Sequence, residues 1–96
     1  MKGTTKSGFS FDVDENVINN YRYVKTAARL KRSQEPADRL ELFDILTTMV
    51  LPDEEQERLF AHLEEKDGIA STDAVIAEVN EIIEIIAEKV KSVKNS

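Results

Sequence analysis

From position 72 onward the chain carries nine aliphatic residues at helical spacing: Val75, Ile76, Val79, Ile82, Ile83, Ile85, Ile86, Val90 and Val93. At 100° per residue their directions spread over roughly 180°, whereas the apolar stripe of a surface helix need be only a little wider than 100°. A helix with so broad an apolar face must be covered on more than one side. The surplus centres on Ile82-Ile83-Ile85-Ile86 and does not follow a heptad seam. One small core does not readily absorb it, so these four isoleucines are expected to supply contacts with another protein.

The rest of the chain narrows the function classes. With 96 residues there is length for one domain, residues 1–96, which folds alone with little margin. A third of the residues are charged and no apolar run nears the ~20 residues of a membrane helix, so no membrane partner is expected. The opening Met1-Lys2-Gly3-Thr4-Thr5-Lys6 leads into no apolar segment of the secretory kind. There is no cysteine, which removes disulfides, thiol nucleophiles and zinc–cysteine sites. None of the three glycines stands in a phosphate-binding pattern. No enzyme, metal or cofactor chemistry is therefore expected.

The elements read as a mainly α fold: a four-helix compact domain with a short N-terminal β-hairpin. Phe9, Phe11 and Val13 alternate with polar residues, the period of a half-buried strand, and Ser7-Gly8 supplies a turn, giving a hairpin over about residues 3–13. Helices are expected over about 15–32, 37–50, 53–66 and 72–92. Asp14 caps the first, whose main apolar face is Val17, Ile18, Tyr21, Val24 and Ala28, with Tyr23 and Leu30 roughly opposite. Eight of the twelve residues from Leu40 to Leu51 are apolar and point nearly all round the second helix, which is then either central or covered by a partner. Pro52 falls in the first turn of the third helix, which ends at Gly68, and Ser71 or Thr72 caps the fourth.

His62, the sole histidine, belongs to no HExxH pattern and reads as a surface side chain. The loop from Lys66 to Asp73 holds alanines where a calcium loop needs oxygen ligands, and reads as a helix–helix turn. The glutamates of the third and fourth helices, Glu78 among them, read as solvated polar faces without an apolar pocket to raise a carboxyl pKa.

The net charge of −6 is unevenly spread: residues 1–32 carry +4, residues 33–88 carry −13, and the end of the chain from Lys89 carries +3. Arg22, Lys25 and Arg29 form a basic stripe on the first helix, suited to docking on an acidic neighbouring copy. The acidic middle works against nucleic-acid binding, although a small helical regulatory or antitoxin-like module remains the competing reading.

The phrases "TKSGFSFDVDE" and "HLEEKDG", in the order strand, acidic helix start, apolar second helix, turn and long final helix, carry a resemblance over about Thr4 to Ile86. In them the chain resembles the small tail assembly chaperones of long-tailed phages and prophages of Gram-positive bacteria. The resemblance implies a non-enzymatic assembly factor in the host cytoplasm, absent from the mature virion. Such proteins coat the long helical tape measure protein, keep it soluble and help tail-tube protein polymerise around it. Members tend to self-associate, and many have a longer frameshifted form of which this chain would be the short version. On this reading Ile82, Ile83, Ile85 and Ile86, with Tyr23 and Leu30, would make self-association or client contacts.

Overall fold

The alternation of Phe9, Phe11 and Val13 does what its period demands, putting all three rings and branches on one face. A computed structural model describes residues 1–94, with side-chain surroundings through residue 91; Val93, counted above in the last apolar face, lies outside the described side chains. Strands β1 (Lys2–Thr4) and β2 (Ser10–Asp12) pair antiparallel, with Gly3 opposite Phe11. The turn between them closes through Thr5 N–H to the Phe9 carbonyl (2.9 Å) and Gly8 N–H to the Thr5 carbonyl (3.0 Å). Gly8 takes φ +95°, the left-handed conformation that glycine adopts without a Cβ clash. At Gly3 the need is space: a Cβ there would lie 2.5 Å from the tip of the Phe11 ring. The ring covers the glycine and is itself buried, so it has nowhere to retreat.

The segment expected as one helix over 15–32 is two. Asp14 caps a 3-10 helix (Glu15–Asn19) by accepting the Asn16 N–H at 2.9 Å. Asn20 then leaves the helical region (φ −70°, ψ 128°) and caps α1 (Tyr21–Arg32) by accepting the Arg22 N–H at 2.8 Å. Asparagine side chains compete with the backbone for its own hydrogen bonds, which favours a fresh cap over a continued helix. This break changes the phase of everything after it. The expected face does not persist: Val17 and Ile18 pack on the core, but Tyr21 is 76% exposed and Val24 49%. The inward stripe of α1 is Tyr23, Ala27 and Leu30, at i, i+4 and i+7.

Helix α2 (Pro36–Val50) begins with proline in its first turn, one residue before the expected start. Leu42, Leu46, Thr47 and Val50 are buried, Phe43 and Met49 half-buried, and Leu40 and Ile45 exposed, so its all-round apolar character is only partly used. Pro52 stands as the N-terminal cap of α3 (Asp53–Asp67), where Asp53, Glu54 and Glu55 complement the helix dipole. Leu59 and Leu63 face the core, and Gly68 (φ +85°) closes the helix with its N–H on the Glu64 carbonyl at 2.8 Å. Of the two candidate caps for α4 (Thr72–Lys94), Ser71 serves, accepting the Ala74 N–H at 3.2 Å.

The architecture is mainly α: four helices and one two-stranded hairpin. α1 and α2 pair as a helical hairpin, while α4 packs against α3, the 3-10 helix and β1. This arrangement accounts for the wide apolar face of α4. Val79, Ile82 and Ile86 are fully buried, and Val75, Ile83, Ile85 and Val90 pack around them against different neighbours. Each fully buried leucine or isoleucine contributes about 1.5–3 kcal/mol.

Burial of the Tyr23 ring raises its phenol pKa above the ordinary 10.0, because desolvation disfavours the phenolate. A raised folded-state value means that its contribution is complete below pH ~10 and lost as pH climbs through the folded pKa. Urea unfolding of the wild type should therefore show a decline in stability above pH ~10 that is shallower in Tyr23→Phe. Equal slopes in the two proteins would remove Tyr23 as its source.

Candidate functional site

Because α2 carries apolar residues on more sides than its neighbours cover, one of its faces opens onto a groove. Its walls are Leu30 of α1, Pro36, Leu40 and Phe43 of α2, and Val75 and Ile76 of α4, with Phe60 of α3 and Ala70 towards one end. The end between Leu30, Leu40 and Ile76 encloses about 560 Å³, and a second part reaching Phe60 about 250 Å³. Leu40, Phe43, Thr72 and Ile76 line both parts, which therefore lie side by side along α2 and α4. Leu40 is 54% exposed here. The Arg39 guanidinium fixes the α1–α2 corner that bounds the groove, its Nη1 donating to the carbonyls of Leu30 and Ser33 at 2.9 Å each.

The residues expected to make protein contacts are divided by the fold. Ile82 and Ile86 have 0% exposure and Tyr23 is buried, so in this conformation all three are core rather than contact surface. The reason is geometric: the N-terminal hairpin and the 3-10 helix cover the flank of α4 that its sequence left unassigned. Ile83 and Ile85 are half-buried against the same core. Leu30 alone of the apolar set lines the groove. Arg22, Lys25 and Arg29 are exposed along α1, and Arg29 faces Asp38 and Glu41 across a shallow cleft. None of the three bases forms an ion pair among the described residues, where the one pair between side chains is Arg58–Glu55 at 2.7 Å.

Sequence reasoning missed a second constellation. His62 is half-buried rather than a surface side chain: its Nε2 lies 3.0 Å from Ser7 Oγ and its ring tilts against Phe9 at 5.7 Å. Glu78 is 5% exposed, not on a solvated face, because the hairpin turn lies over it. Its Oε1 accepts from Thr5 Oγ1 at 3.1 Å and from Ser7 Oγ. One turn further along α4, Glu81 Oε2 accepts the Lys6 N–H at 2.7 Å. The buried carboxylate is thus satisfied by hydroxyls, as burial of charge requires.

Serine, histidine and glutamate meet here in an order different from that of a nucleophile relay. In a relay the histidine stands between serine and acid, which fixes its tautomer. Here the serine hydroxyl stands between the other two, and its single proton is given to the carboxylate. What the arrangement does in the fold is fasten the hairpin turn to α3 and α4. The signal for it, Thr5 and Ser7 flanking a turn, becomes meaningful only once α4 is placed beneath them.

Among the described residues no three His, Asp or Glu side chains are grouped to hold a metal ion, and no helix is long and apolar enough to cross a membrane. No family model, curated protein or solved structure matches the chain.

Proposed function

We propose that the chain is a tail assembly chaperone that binds a helical tape measure protein, keeps it soluble in the host cytoplasm and assists tail-tube polymerisation without entering the mature virion. The observation that carries this reading is the groove between the α1–α2 hairpin and α4, an apolar depression in which Leu40 stands exposed. A holder of long helices needs such a surface and needs no reacting groups. The resemblance of "TKSGFSFDVDE" and "HLEEKDG" to the chaperone family names the client.

Co-expression with a long helical phage tape measure protein tests the reading. The client is expected in the soluble fraction with the chaperone and in the pellet without it; equal pelleting in both would overturn the proposal. The regulatory reading rests on α1, which carries Arg22, Lys25, Arg29, Lys31 and Arg32 and no acid. If it held, the protein would retard mixed-sequence DNA at low salt.

A further inference from the structure

The walls of the groove limit what can lie in it. Its lining is almost wholly helical, from α1, α2, α3 and α4, so the backbone N–H and C=O groups there are spent on their own helices. An extended peptide would find no sheet edge to pair with, whereas a helix brings its backbone bonds already made. Along α4 the lining runs from Thr72 to Asn80, or ~12 Å at 1.5 Å per residue, which suits two turns of a docked helix.

The charges around the groove have a sign. Asp44 lines it, and Glu57 and Glu64 stand one helical turn either side of Phe60 on α3. Asp73 and Glu84 stand one turn from Ile76 and Asn80 on α4. All five are exposed and none is in an ion pair among the described residues. Against them the lining holds one base, Arg39, whose guanidinium is engaged with the carbonyls of the α1–α2 corner. A phosphate backbone would be repelled from such a rim.

We infer that the groove takes a basic amphipathic helix, with apolar anchors at i, i+3 or i+4, and i+7 on Leu40, Phe43 and Ile76, and lysines or arginines meeting the acidic rim. This rests on the helix-holding reading and adds to it the site and the charge class of the client segment. The rim selects the sign of the flanks and speeds encounter, while the apolar floor supplies affinity.

The test uses two synthetic helical peptides of ~14 residues with identical leucine anchors, one flanked by lysine and arginine and the other by glutamate, read by fluorescence anisotropy against the whole protein. The basic peptide should bind at least ~10-fold more tightly at low salt, with the gap narrowing as salt rises. Leu40→Asp should weaken it by ~10-fold or more with the circular dichroism spectrum unchanged, because Leu40 is already exposed. Ile45→Asp, on the same helix but outside the groove, should leave binding as it was. The paired change Asp73→Lys and Glu84→Lys should erase the preference. Absence of binding by the basic peptide, equal affinity for both peptides, or indifference to Leu40→Asp each overturns the inference. So does sedimentation showing a dimer that Leu40→Asp dissociates, which would give the groove to a second copy. Should the inference fail while co-expression still keeps the client soluble, the chaperone reading stands and its contact surface lies elsewhere.

Discussion

Ile86→Glu is expected to abolish cooperative folding, while Ile83→Glu three residues earlier leaves a folded protein. Ile86 has no exposed surface and sits in the central cluster with Val79 and Ile82. Its replacement forfeits about 1.5–3 kcal/mol of apolar burial. It also places a carboxylate where nothing pairs with it, at a cost of several kcal/mol more. Together these approach the ~5–15 kcal/mol that holds a domain together. Ile83 is half-buried, so a glutamate there can turn outward, and a loss of about 1–2 kcal/mol is expected. Circular dichroism and urea titration of the two variants give the comparison. A cooperative Ile86→Glu transition within ~1 kcal/mol of the wild type would contradict the packing described for α4.

The second large effect concerns a carboxylate that sequence reading assigned to the solvent. Glu78→Ala removes the acceptor shared by the Thr5 and Ser7 hydroxyls, leaving Ser7 Oγ to His62 Nε2 and to Thr5 Oγ1. Hydrogen bonds to a charged acceptor are each worth about 1.5–3 kcal/mol, of which the remaining hydroxyl and His62 contacts recover a part. A net destabilisation of about 2–4 kcal/mol is expected, focused on the hairpin. Glu78→Gln keeps an acceptor oxygen in place and should lose roughly half as much. Hydrogen exchange should show the amides of Thr5, Gly8 and Phe9 opening first in Glu78→Ala, since their protection depends on the turn being held down. Equal losses in the alanine and glutamine variants would mean that the acceptor is not what matters.

Much of the architecture was legible because local chemistry specifies it. Gly8 and Gly68 mark the two places where the chain takes positive φ among the described residues, and Asp14, Pro52 and Ser71 mark helix beginnings that the backbone uses. The alternating phenylalanines fixed the inward face of the hairpin. What failed was phase. A single cap at Asn20 rotated α1, so that Tyr23 and Leu30 turned inward and Tyr21 and Val24 outward, the reverse of the continuous-helix expectation. The breadth of the α4 face points to another protein as its cover, whereas the cover comes from the chain's own hairpin and 3-10 helix. Periodicity gives the direction of a side chain about its own axis and says nothing about which distant element arrives there. For the same reason the groove could not be seen in advance, since Leu40 and Ile76 stand 36 positions apart. Nor could the Ser7–His62–Glu78 contact, which joins the first, third and last parts of the chain.

The fastening of the hairpin to α4 also sets the order of events during synthesis. Lys6 and Glu81 are 75 positions apart, and Thr5 and Glu78 are 73 apart. At ~5–20 residues per second, the ribosome needs on the order of 4–15 s to make the chain that separates them. Until α4 is made, the Phe9 ring has only α3 side chains such as His62 and Arg58 to lie against, and a two-stranded ribbon without its full cover holds its shape poorly. The hairpin therefore cannot be fastened until the last helix has emerged, and its apolar face is incompletely covered for that interval.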